Sequence, residues 1–302
     1  MRSLIRFLYL FLLVLLLVTG AGASASSAEG DGKVQLRSAC AAIKPKLDGL
    51  IEFPEWSDVL PYHVSLLSGD ESIDCELLIK NDDTKLYIGL RIWDTTRSLA
   101  KGSGDSFSLY FEQGPEGGNR DGRLTPNSED RKQWFASDTP GRPGLFIDWF
   151  FLERDWELDE KFGGTNDGFV CGDYHKDHWD IECEIPLSSG DKRDMKVQAG
   201  NLLGLAIHYR EHDTGTWFIF PMEAGYKDST NWADLFLIIP MTVTITTTMI
   251  VASTALVTTT MTTTAGVALT ELTTPVIVVG LVLLLMAYLI WSRRAKQVSH
   301  HE

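Results

Sequence analysis

Between residues 86 and 94 the chain reads Leu-Tyr-Ile-Gly-Leu-Arg-Ile-Trp-Asp, with an apolar side chain at every second position (Leu86, Ile88, Leu90, Ile92). That period of two predicts a strand with one face on a core. Asn81-Asp82-Asp83-Thr84 supplies a turn before it, and Asp94-Thr95-Thr96 ends it with side chains that bond their own backbone. After a Gly-Ser-Gly-Asp turn, Ser106-Phe107-Ser108-Leu109-Tyr110-Phe111 repeats the alternation, and the two segments read as neighbouring central strands of an all-β domain. The same pattern predicts strands over residues 34–40, 62–67, 73–80, 145–152 and 233–239, a hairpin of 169–174 with 179–185, and another of 201–211 with 216–220. About ten strands at this spacing describe a two-sheet antiparallel β-sandwich, jelly-roll-like. Helix is signalled only by a turn near Pro54. Residues 113–144, polar and rich in Gly and Pro, read as one long loop.

The two ends follow other patterns. Arg2 and Arg6 flank the start of a run of twelve apolar residues at 7–18, with small-residue cleavage sites at Ala21-Gly22-Ala23 and Ala23-Ser24-Ala25, so residues 1–25 are expected to be a secretory signal peptide. Pro275 to Trp291 carries no charge. As a helix it would cover about 26 Å, enough with its flanks to cross a hydrocarbon core of about 30 Å. Arg293, Arg294 and Lys296 follow directly, so 275–292 is expected to be a transmembrane helix and 293–302 a cytoplasmic tail. Fifteen threonines stand among residues 242–274. That composition predicts an extended, O-glycosylated stalk over 241–274, β-prone because it lacks proline; its rival is a second membrane segment at 249–269. Residues 26–240 remain as the extracellular domain of a cell-surface, single-pass protein.

Charge narrows the partners of that domain. With Glu271 and Glu302 set aside from the 41 acids, and Arg2, Arg6, Arg293, Arg294 and Lys296 from the 27 bases, 39 acids face 22 bases. A surface near −17 repels nucleic acid and anionic lipid. The four cysteines (Cys40, Cys75, Cys171, Cys183) are in a compartment that allows disulfides, and three pairings are open. Cys171 with Cys183 across one hairpin would leave Cys40 with Cys75; buried free thiols are the alternative. Their spacing matches no zinc motif.

Lys46-Leu-Asp-Gly-Leu-Ile-Glu-Phe-Pro-Glu-Trp56 resembles the "(I/L)DG…EW" opening of domains related to family 9 carbohydrate-binding modules. Residues 82–94 resemble their "LY(I/V)…D" strand, Gly104-Asp105-Ser106-Phe107 to Phe111 their "DS…(L/F)F", and Trp179-Asp-Ile-Glu-Cys-Glu-Ile-Pro-Leu187 their "W…E…IPL". Residues 201–207 and 231–235 are similar to the closing strands, so the likeness spans about 34–240. It implies a β-sandwich that binds sugar or, in the DOMON and ethylbenzene-dehydrogenase-like branches, b-type haem. Most of these motifs make turns and core, so they speak for the fold more than for the ligand.

Sugar binding needs flat aromatic faces and groups that bond hydroxyls. Family 9 modules clamp a terminal sugar between two tryptophans, a pair that is not assigned in this chain. Trp56, Trp93 and Trp232 sit in fold motifs, and Trp291 in the apolar C-terminal run. The candidates are therefore Trp134, placed in the long loop, with Trp149, Trp156, Trp179 and Trp217, and the polar face of His208 and Arg210 with His212. A two-residue turn at Thr214-Gly215 would pair Trp217 with His212, and a three-residue turn with Glu211. Haem would need His208 with Met222, or His63. A structural calcium ion, which related modules often carry, would take Asn119, Asp121 and Asn127, or Asn166 and Asp167. The hairpin tip His175–His178 resembles a metal clip in composition only. There is no nucleophile elbow, zinc-protease motif, phosphate loop or dinucleotide fingerprint, and Glu182 with Glu184 on one strand face fits no hydrolytic geometry. The expectation is a membrane-tethered, non-catalytic module that binds a polysaccharide or glycan. Its alternatives are a haem-bearing electron-transfer domain and a structural envelope protein.

Overall fold

The computed structural model describes residues 33–99, 104–114, 118–124, 126, 129–136, 144–221, 225–251 and 255–267. Residues 1–25, 275–292 and 293–302, read above as signal peptide, membrane helix and tail, lie outside them. No helix among the described residues is long and apolar enough to cross a membrane. A short 3₁₀ turn spans Asp159–Phe162.

The body is two layers of strands. The first runs β10 (Phe169–His175), β11 (His178–Pro186), β5 (Lys85–Ile92), β4 (Glu71–Asn81), β3 (Tyr62–Ser68). The second runs β13 (Trp217–Phe220), β12 (Leu202–Arg210), β6 (Ser106–Glu112), β7 (Asp130–Phe135), β8 (Leu145–Leu152), β9 (Asp155–Leu158). One pairing, Ile219 with Leu67, joins them at an edge. The expected strand over 34–40 is split: β1 (Gln35–Arg37) lies parallel to β14 (Ala233–Phe236) in the second layer, and β2 (Ala39–Cys40) parallel to β4 in the first. These two pairs depart from the wholly antiparallel expectation. Ser38 stands at the crossing; its hydroxyl bonds Asn81 and accepts the Ile238 amide at 3.0 Å.

β5 and β6 are both central, but in different layers: β5 pairs with β11 and β4, β6 with β12 and β7. Alternation shows that a strand has a buried face and is silent about its neighbour. Leu86, Ile88, Leu90 and Ile92 all point into the core between the layers, each removing about 2 kcal/mol of apolar exposure. Tyr87 and Gly89, on the opposite face, are buried as well.

The cover on that outer face is the segment around Trp56, and a buried carboxylate holds it down. Glu182 on β11 lies opposite Gly89. Its Oε2 accepts the Asp48 and Gly49 amides at 2.9 and 2.8 Å, and its Oε1 accepts the Trp56 indole N–H at 2.9 Å. A Cβ at residue 89 would meet the Trp56 ring at 3.2 Å, so glycine leaves the seat for the indole. Arg91 pairs with Asp180 at 2.7 Å. The Lys80 ammonium sits over Trp56 and bonds Asp58 at 2.8 Å. The "DG…EW" and "W…E…IPL" motifs are therefore the two sides of one contact.

β7 and β9 were not expected. Residues 113–144 contain a strand because its inward positions, Asp130, Lys132 and Trp134, disguise the alternation. The Thr-rich segment is an antiparallel hairpin, β15 (Ile239–Val251) with β16 (Ala255–Val267), extended but paired with itself. All four cysteines are free. Cys171 lies opposite Glu182 and Cys183 opposite Val170, so the two thiols point to opposite faces of the hairpin. Cys40 pairs with Asn81, six positions along β4 from Cys75, about 20 Å away.

Trp56→Phe keeps the ring in its seat and leaves Glu182 one donor short. Urea unfolding is expected to show a loss of about 1–3 kcal/mol.

Candidate functional site

The Trp56 segment covers part of the first layer's outer face, whereas the outer face of the second layer has exposed side chains at its margins (Trp217, Leu145) around a buried middle. Register places three rows of side chains there. The first is Trp217, Arg210, Ser106, Phe135 and Leu145. The second is Ile219, His208, Ser108, Gln133 and Ile147. The third is Ala206, Tyr110, Arg131, Trp149 and Leu158.

Trp217 pairs with Arg210, neither of the two registers weighed above, because the turn spans Glu211 to Thr216. That pairing puts the indole on the His208 and Arg210 face, with the Arg210 guanidinium 5.6 Å from its centroid. Trp217 is 40% exposed. In the third row the Arg131 guanidinium lies 5.0 Å from both the Tyr110 and Trp149 rings. Ser108 Oγ accepts from it at 3.2 Å. Burial lowers the pKa of this arginine and raises that of Tyr110. His208 is buried with its ring 4.6 Å from that of Tyr110. Three buried polar atoms of these rows have no hydrogen-bond partner among the described residues: Ser106 Oγ, Arg210 Nε and Trp149 Nε1.

Trp156 belongs to the margin. It is buried against Tyr110 and Phe151, and its indole N–H donates to the Tyr226 carbonyl at 2.7 Å. Beyond it, over Phe151, lies a groove of about 430 Å³ lined by Arg123, Arg154, Lys227 and Ser229.

Trp134 and Trp179 are elsewhere. Both are 2% exposed, in the core between the layers, where Phe107, Trp134, Trp179 and Tyr174 form a chain of ring contacts from one layer to the other. The expectation that Trp134 is a loop aromatic is thus corrected: it is on β7 and faces inward.

The expected calcium groups have other work. Asn119 Oδ1 accepts the Leu202 amide at 2.8 Å, and Asp121 Oδ1 the Arg123 amide at 3.1 Å; Asn127 lies outside the described residues. Arg120, which sequence reasoning passed over, anchors this segment through Glu112 at 2.8 Å and Asp234 at 2.7 Å. Asn166 Oδ1 accepts the Asp148 amide, and Asp167 donates its own amide to the Asp148 carboxylate. Met222, the haem partner considered for His208, is also outside the described residues.

One group of acids among the described residues has ligand spacing: Asp130, Asp148 and Asp194, all buried. The Lys132 ammonium lies among them, 3.0, 2.5 and 3.6 Å from their oxygens. Burial, then the Asp130 charge, pushes Asp148 up to about 9 and Asp194 up to about 7, against the pull of Lys132. No sequence signal marked this cluster, whose members are 18 and 46 residues apart along the chain.

No family model matches the chain, and no curated protein matches it. Two solved structures of a family 9 carbohydrate-binding module from Caldicellulosiruptor kristjanssonii are similar to it. The module in complex with cellotriose is 11% identical at a TM-score of 0.49, the match covering 67% of this chain and 93% of that one. The module in complex with glucose is 12% identical at 0.49, covering 67% and 95%.

Two outcomes separate core from face. Trp134→Ala is expected to cost about 3–5 kcal/mol by denaturant unfolding, while Trp217→Ala leaves stability within about 0.5 kcal/mol. Asp148 and Asp194 gain protons on folding, so the melting temperature should fall as pH rises from about 4 through 7 towards 9, and Asp148→Asn should flatten that fall.

Proposed function

We propose that the outer rows of β13, β12, β6, β7 and β8 form a carbohydrate-binding surface without catalysis, on an exported chain tethered to the membrane near its C-terminus. The observation that carries this reading is the placement of Trp217 and Trp149 on one face, each beside an arginine, with three buried polar atoms in the same rows that have no partner among the described residues. A pyranose presents C–H groups to an indole face and hydroxyls around its edge. Ser106 Oγ can donate or accept; Arg210 Nε and Trp149 Nε1 donate. A hydroxylated ligand would satisfy all three at once. By strand spacing Trp217 and Trp149 stand about 20 Å apart, too far to clamp one ring, so they mark separate points along an oligosaccharide.

The motif resemblance supports the same reading. The tether rests on the uncharged stretch at 275–291 and the basic residues after it. The haem alternative is not favoured: His208 is buried with its ring tilted against Tyr110, and His63 stands exposed beside Glu76.

The full chain, purified in detergent and applied to an array of plant, microbial and animal polysaccharides with and without calcium, is expected to bind at least one class. Trp149→Ala and Trp217→Ala should each weaken that binding about tenfold or more. Failure to bind any glycan in either condition overturns the proposal.

A further inference from the structure

The buried cations of this domain differ in their company. Lys80 pairs with Asp58, Arg91 with Asp180, Arg120 with Glu112 and Asp234, and Lys132 with three aspartates. Arg131 and Arg210, both half-buried, form no ion pair with a carboxylate among the described residues; each lies against an indole instead. The acids near them are engaged. Asp155 pairs with Lys227 at 2.9 Å, and Glu211 accepts from Thr96 at 2.9 Å and Thr214 at 2.6 Å. In a domain with 39 acids and 22 bases, the three outer rows hold these two arginines and no acid. The groove over Phe151 is mixed, with Arg123, Arg154 and Lys227 beside Glu153 and Asp228. A half-buried charge without a counter-charge is costly, and the cost is recovered when a ligand brings one.

We infer that the ligand of this face is an acidic glycan, a chain bearing uronic acids whose carboxylates pair with Arg131 and Arg210. This rests on the carbohydrate reading above and narrows its class. The guanidinium fork matches a carboxylate bidentately, and each arginine lies against at least one aromatic ring. By strand spacing the two arginines are about 16 Å apart, so one carboxylate cannot reach both and the ligand is an oligomer with more than one acidic residue. The net negative charge of the domain opposes the approach of a long polyanion. At an ionic strength of about 0.15 M that repulsion is screened beyond roughly 8 Å, whereas the contact pairs are not.

The test is calorimetric titration of the full chain with tri- and tetrasaccharides of galacturonate, glucuronate, mannuronate and guluronate, each beside its methyl ester, which keeps the shape and removes the charge. At least one acid should bind about tenfold or more tightly than its ester. Arg131→Gln and, separately, the rim variant Arg210→Gln should each narrow the preference for the acid over its ester about tenfold, with melting temperatures unchanged for Arg210→Gln. Esters or neutral glycans that bind as tightly as the acids overturn the inference and leave the carbohydrate reading standing. If no acid, ester or neutral glycan binds, both fall.

Discussion

The carboxylate of Glu182 is the contact on which the arrangement of the domain depends. It is fully buried, and burial raises its pKa, opposed by the Trp56, Gly49 and Asp48 donors. Those three donors come from one short segment, so one side chain on β11 fixes the Asp48-Gly49 turn and seats Trp56 over Gly89. The part of the first layer's outer face around Tyr87, Leu78 and Gly89 is thereby buried on both sides, while His63 and Ser65 on β3 stay exposed. A sandwich ordinarily offers two outer faces to solvent. Here the chain itself covers part of one of them with the Trp56 segment.

The same asymmetry governs the charges. In the first layer and at the edges, each buried cation named above faces a carboxylate or several, and such pairs hold segments in place rather than add much net stability. The second layer goes further and admits Lys132 with three aspartates between its own strands and the core, where burial pushes Asp194 up to about 7 and Asp148 up to about 9. On the outer side of the same strands, one residue away from Lys132, Arg131 has an aromatic on each side and no ion pair with a carboxylate among the described residues. Adjacent residues of β7 thus have opposite surroundings: Lys132 lies among three aspartates, and Arg131 against two rings.

Much of the fold was legible from side-chain periodicity. The two hairpins, β5, β8 and the presence of β6 follow from apolar residues at every second position, which is a local property of a strand against a core. The polar strand β7 was not legible, since Asp130 and Lys132 occupy core positions that only their mutual pairing makes tolerable. Of the candidate site, His208 and Arg210 could be placed together because both lie on one strand. Trp149 and Trp217 could be named as aromatics but not gathered, and Trp134 and Trp179 could not be told from them, because an indole in the core and an indole on a face look the same in sequence.

Period-two patterning, charge balance and terminal composition by themselves determined that the central region is all-β, that its surface is acidic, and which aromatic residues were available. The tertiary structure alone decided that β5 and β6 belong to different layers, that Trp217 pairs with Arg210, that Cys171 and Cys183 face apart, and that Arg131 lies between Tyr110 and Trp149. The physical reason is the reach of each constraint. Whether a side chain alternates between core and solvent is set by its own strand, whereas its partners depend on register, and a shift of one residue turns every side chain of a strand to the other face.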